Sequence, residues 1–129
     1  MNNDLIRPVG ESPVDNLVNS TFPPPLTTGV RLRGGQGVLE RGTVLSLSSA
    51  SSDMVALGAG PAGGETLTAS CILADPFDTG PAGGTVPAIA YRTGHFNRPA
   101  LIMAKDYSMT RADEENLRCG GILLSDALR

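Results

Sequence analysis

From residue 30 onward, apolar and polar positions alternate in short blocks, the period-two signature of strands. Gln36-Gly37-Val38-Leu39-Glu40-Arg41-Gly42-Thr43-Val44-Leu45-Ser46-Leu47 predicts one or two short strands that turn near Arg41-Gly42. Further apolar runs cover Thr66 to Ala74 and Thr85 to Arg92. Pro87 interrupts the last of these and predicts an edge position or a bulge, because proline donates no ladder hydrogen bond. The Ser-rich stretch from Ser46 to Asp53 predicts a loop. One segment reads as a helix. Thr110 caps it, Asp113-Glu114-Glu115 complement the positive end of its dipole, and Arg118 falls in its last turn. Gly120-Gly121 supplies the left-handed stop, which predicts a helix over roughly 111–119 and a terminal strand at Ile122-Leu123-Leu124.

The first 29 residues have a different texture. Pro8, Pro13, Pro23, Pro24 and Pro25 fall here, and the run of three must be extended, since each proline fixes φ and disfavours helix in the residue before it. Ser12-Pro13-Val14-Asp15 has the form of a helix start, but only about two turns could follow before Pro23, which is marginal in isolation. Large apolar residues are sparse: Leu5, Ile6, Val9, Val14, Leu17, Val18 and Phe22. The division predicted is an extended Pro-rich amino-terminal arm at 1–29, mobile in the free protein, and a β-rich body at 30–129. The fold class is mainly β: a small barrel or tulip-like body with one short helix near the carboxyl terminus, preceded by the arm.

Gly60-Pro61-Ala62-Gly63-Gly64 recurs as Gly80-Pro81-Ala82-Gly83-Gly84. Two copies cannot build a solenoid, and they predict two similar turns flanking the strand near 66–74. A phosphate cradle would need a helix directly after the glycines. Strand-like Glu65-Thr66-Leu67-Thr68 and Thr85-Val86-Pro87 follow instead, and Gly34-Gly35-Gln36-Gly37 fails in the same way.

Composition narrows the function more than it suggests one. The 16 Gly and 10 Pro among 129 residues require frequent turns. A net charge of −3 argues against a nucleic-acid-binding surface. No apolar run approaches the length of a membrane-spanning helix, and the amino terminus lacks the basic-then-apolar order of a secretory signal. Cys71 and Cys119 read as two reduced, buried thiols, each beside an apolar run. The single histidine, His95, and the scattered carboxylates offer no metal-ligand spacing, and no serine sits in a nucleophile elbow. Asp75 and Asp78 flank Pro76-Phe77 as turn residues do. A small hydrolase using His95 with a serine or Asp106 therefore has no sequence support. The reading is of a protein that is not an enzyme and carries no metal or cofactor.

Four segments, in order, resemble the lambda-type head decoration proteins of tailed bacteriophages. They are Gly37-Val38-Leu39-Glu40-Arg41-Gly42-Thr43-Val44-Leu45, Ser70-Cys71-Ile72-Leu73-Ala74-Asp75, Tyr91-Arg92-Thr93-Gly94-His95-Phe96-Asn97-Arg98-Pro99-Ala100-Leu101, and Leu117-Arg118-Cys119-Gly120-Gly121-Ile122-Leu123-Leu124. Cys71 stands where a Gly is common in that family, and the paired Gly-Pro-Ala-Gly-Gly turns and the long Pro-rich arm are further departures. The resemblance implies a capsid cement protein that assembles as a homotrimer on the outside of the expanded head and stabilises it against DNA pressure. Its location would be the virion, with assembly in the host cytoplasm, and its partner the major capsid protein, without direct contact to nucleic acid or membrane. The same resemblance implies that the arm pairs with strands of the capsid protein. The composition of the arm suits that role, since no charged side chain occurs from Asn16 to Gly29 and strand addition relies on main-chain bonds with a few pocket-filling side chains. Val14, Leu17, Val18 and Phe22 are the capsid-binding candidates. Other readings are a tail or baseplate β-domain, and a generic protein- or carbohydrate-binding β-module.

Overall fold

The computed structural model describes residues 17–20, 23–60 and 63–126. The strands are β1 (Val18–Ser20), β2 (Leu26–Arg33), β3 (Val38–Leu39), β4 (Val44–Ser48), β5 (Met54–Ala56), β6 (Leu67–Leu73), β7 (Phe77–Asp78), β8 (Thr85–Asn97) and β9 (Ile122–Ser125). A single helical turn at Arg98–Ala100 follows β8, and α1 (Arg111–Gly120) precedes β9.

Five strands close into a barrel in the order β2-β5-β4-β6-β8, with β8 pairing back to β2. Closure leaves few edges, which a small β-rich protein otherwise has to protect. β8 outruns the barrel. Its last residues carry β1 antiparallel, with Val18 opposite Phe96, and β9 parallel, with Phe96 opposite Leu124. The interior is built from side chains with no exposed surface: Leu32, Val44, Leu45, Ile72, Leu73, Phe96, Leu117 and Ile122. Leu117 is the buried residue of α1, which packs against β6 and β9. Burying one such side chain contributes about 1.5–3 kcal/mol, enough to hold a helix too short to persist alone.

The helix follows its sequence signals closely. The Thr110 hydroxyl accepts from the Asp113 N–H at 3.1 Å, and the Asp113 carboxylate accepts from the Thr110 N–H at 3.0 Å. Gly121, at φ +106°, ends it with a bond to the Arg118 carbonyl. The turn near Arg41-Gly42 is present as well, with Thr43 donating from both N–H and hydroxyl to the Glu40 carbonyl.

Other expectations change. Ser46 to Asp53 is not one loop, since Ser46 to Ser48 belong to β4. Both Ser46 and Ser48 are buried because their hydroxyls find acceptors inside: the Val55 carbonyl at 2.8 Å and the Glu65 carboxylate at 2.6 Å. Pro87 lies in the long β8, opposite Arg31 of β2. There β8 is paired on one flank only, since β6 joins it at Tyr91 and Ala90, so the edge that Pro87 requires is local rather than strand-wide. Cys71 is buried, whereas Cys119 is exposed, because α1 turns Leu117 inward and Cys119 outward two residues later.

The chain from Leu17 to Gly29, placed with the arm by its composition, is in large part laid along β8. β1 meets β8 at Phe96 and His95, and β2 begins at Leu26 opposite Thr93. The backbone pairing that orders these residues is invisible to a reading of side-chain hydrophobicity. Of the repeated glycine turns, the second interlocks with the end of β2: the Gly34 and Gly35 N–H groups donate to the Gly84 and Gly80 carbonyls, both at 2.8 Å. Pro61 and Ala62 of the first copy lie outside the described residues, and its Gly60, Gly63 and Gly64 face open space.

Candidate functional site

The end of β8, the turn at Arg41-Gly42 and the helical turn at Arg98–Ala100 meet in one corner. Leu17 enters this corner and is 3% exposed. Its carbonyl accepts from the Asn97 N–H at 2.7 Å. Its methyl groups lie against Gly42, where a Cβ would come within 3.5 Å of Leu17 Cδ1 and 3.2 Å of the Ala100 carbonyl oxygen. Gly42 also has φ +96°, a conformation that side chains other than glycine's rarely take. The glycine thus serves both the turn and the space that Leu17 fills.

Val18, next along, is half-buried on the inner face opposite Phe96. Phe96 contacts Tyr91 with ring centroids 5.2 Å apart. The Arg41 guanidinium sits over the Tyr91 ring at 5.4 Å and donates to its hydroxyl at 2.6 Å and to the Ala74 carbonyl at 3.0 Å. The same stretch is fixed again further on, where the Thr93 hydroxyl donates to the Pro24 carbonyl at 2.8 Å. Pro25 crosses close over Gly94. Of the four arm candidates, Leu17 and Val18 therefore pack on the protein's own body, and Val14 and Phe22 lie outside the described residues.

Leu26, opposite Thr93, and Leu123, opposite His95, are exposed along β8. A depression of about 370 Å³ between α1 and β9 is lined by His95, Glu114, Arg118, Leu123 and Ser125, among others. His95 Nε2 lies 2.7 Å from the Ser125 hydroxyl. That bond ties β8 to β9 at a strand edge, while Asp106 occupies the turn ahead of α1. Glu114 is held by Arg98 at 3.0 Å and Glu115 by Arg118 at 2.6 Å. The described residues contain no group of three or more metal-capable side chains. No helix of the described residues is long and apolar enough to cross a membrane.

Sequence reasoning missed Gly42, Asn97 and Ala100 as the seat of Leu17. The one available signal was the turn at Arg41-Gly42; its partner segment is more than fifty residues away. The model of the family described as "Bacteriophage lambda head decoration protein D" matches residues 10–120. No curated relative matches the chain.

Proposed function

Starting from the fact that this chain belongs to the bacteriophage lambda head decoration protein D family, we propose that it binds the outside of the expanded capsid as a homotrimer and stabilises the shell against the pressure of packaged DNA. A structural role on the phage head comes with the family, which is not a class of enzymes. The observation carrying the finer reading is the anchored root. The chain ahead of Leu17 starts from a fixed point on a closed barrel.

In this reading residues 1–16 add to the major capsid protein by main-chain pairing, with Val14 as a pocket-filling side chain. Each hydrogen bond nets only about 0.5–1.5 kcal/mol, so one arm binds weakly once its ordering has been subtracted. Three arms on a trimer bind together, and avidity multiplies affinity by about 10²–10⁴ without a new contact.

The test is removal of residues 2–16. The cut stops before Leu17 because that side chain belongs to the body's interior. Trimer mass in solution and occupancy on expanded capsids are measured separately. The expected result is an intact trimer and lost occupancy. Full occupancy by the truncated protein would place binding in the body and end the arm mechanism. Binding to expanded heads but not to unexpanded proheads separates this function from that of a tail or baseplate component.

A further inference from the structure

We infer that a seam left open between Val38 and Met103 is a second point of capsid contact, and that it takes one extended segment of the major capsid protein as an added strand. This deepens the proposed capsid-binding function and depends on it, but it does not depend on the arm.

The seam begins where a ladder stops. β2 and β5 are paired only at Leu32 and Met54. Beyond that rung the Gln36 side chain stands in for a strand. Its amide donates to the Arg33 carbonyl at 2.7 Å and the Met54 carbonyl at 3.3 Å, and its oxygen accepts from the Ala56 N–H at 2.9 Å. Past Gln36 a groove of about 430 Å³ opens, with Val38 and Leu39 on one wall and Ile102 and Met103 on the other. Each wall presents an unpaired main chain. On the first, the Thr79 N–H donates to the Gly37 carbonyl and Leu39 pairs with Phe77, so Val38 between them turns its N–H and C=O away from β7. On the second, the Ile102 N–H donates to the Gly42 carbonyl, the Ile102 carbonyl accepts from the Val44 N–H, and the Ala104 N–H donates to the Leu57 carbonyl. Met103, between these bonded residues, is left facing the other way. Among the described residues neither the Val38 nor the Met103 main chain has a hydrogen-bond partner.

What fits such a groove is an extended segment with both edges free. It would be apolar where it passes Val38 and Ile102, which are 58% and 42% exposed. Glu40 and Lys105 also line the groove, and neither is in an ion pair among the described residues. The complementary segment therefore carries a base toward Glu40 and an acid toward Lys105. Every described strand of this chain already has one edge paired, so none of them, in a second copy, can enter the seam. The occupant is assigned instead to the partner of the proposed function, the major capsid protein. Main-chain bonds supply the affinity and side-chain fit the choice of segment. One seam this short binds weakly, and the three seams of a trimer bind together.

The experiment uses the full chain and reads trimer mass, thermal midpoint, the concentration for half-occupancy of expanded capsids, and amide exchange at Val38 and Met103. In the free protein both amides are expected to exchange fast, and on expanded capsids to slow about tenfold or more. Ile102→Glu sets a charge in the groove at a position already exposed. It is expected to keep the trimer mass and thermal midpoint and to raise the half-occupancy concentration about tenfold or more, while Ile102→Val binds like the parent. If the capsid-bound parent keeps both amides fast, the seam is empty and the inference is overturned, even where Ile102→Glu fails to fold. Parental occupancy by a folded Ile102→Glu overturns it as well. Slow amides in the free trimer, with the trimer lost in Ile102→Glu, would make the occupant a second copy and also end the inference. If the parent itself does not bind expanded capsids, the proposed function falls and the inference falls with it.

Discussion

At the scale of the residue, the two cysteines show how far local composition reaches. Both adjoin apolar runs, and both are free, yet only Cys71 is buried. Burial disfavours the thiolate and pushes the Cys71 thiol up to about 12, so at neutral pH it is unreactive on two counts, access and charge state. Thiol titration of the native protein is expected to find one fast-reacting group, and titration after denaturation two. Cys119→Ser should remove the fast group and leave stability within about 0.5 kcal/mol, as for exposed positions generally. Two fast groups in the native state would mean that the β6 face of the interior opens readily. What separated the two cysteines was helix phase: with Leu117 fixed inward, a position two residues on is turned well away. That phase was readable from the sequence, since Leu117 is the large apolar residue of the segment, whereas adjacency to an apolar run was the wrong criterion.

At the scale of the element, what could be read in advance was what depends on neighbours in sequence. The capping box and glycine stop of α1 are local chemistry, and they occur where the sequence places them. Thr110→Ala should cost about 0.5–2 kcal/mol, the usual range for a lost cap, read from the urea midpoint. Asp113 raises the stake, because it also accepts from the Tyr107 hydroxyl, and Tyr107 covers Gly58. Long-range elements were hidden. β5 is only Met54–Ala56 and takes its identity from Leu45, Ser46 and Leu47 across the ladder. The β1 segment pairs with residues more than seventy positions away. Glycines sort the same way, by what lies opposite them. A Cβ at Gly34 would collide with the Pro81 carbonyl oxygen, whereas at Gly29 it would meet open space. Gly34→Ala is therefore expected to cost about 1–3 kcal/mol as an overpacked site. Gly29→Ala should be neutral or gain about 0.5 kcal/mol, because glycine within a strand is the more costly choice. Equal effects at both positions would mean that the second Gly-Pro-Ala-Gly-Gly turn does not seat against the end of β2.

At the scale of the whole molecule, one charge cluster around Arg33 ties the ends of four barrel strands, with Ser48 joined through the Glu65 carboxylate. Arg33 closes β2, Ser48 closes β4, Asp53 stands just before β5 and Glu65 two residues before β6. Arg33 reaches Asp53 at 2.9 Å and Glu65 at 2.7 Å, while Ser51 donates to Asp53 at 2.7 Å. Separations of 20 and 32 residues gave no pattern by which these three charges could be related in advance; only barrel closure relates them. The hydrogen bond from Arg33 holds the Asp53 carboxyl below its ordinary range, against the opposing effect of burial. The unfolded chain therefore takes up a proton at Asp53 at higher pH than the folded one. The stability that this group contributes is complete above its ordinary value of 3.8 and is lost as pH falls further, through its folded value. Arg33→Met reverses the sign. Two buried carboxylates then lack their cation, which costs about 3–5 kcal/mol at neutral pH, and protonating either of them relieves part of that penalty. On acidification from neutral pH to about pH 4, the parent's urea midpoint should hold, falling only at lower pH, while that of Arg33→Met should start low and rise. Parallel curves would show that Arg33 does not neutralise the two carboxylates, and that the barrel is held at this end by its ladders alone.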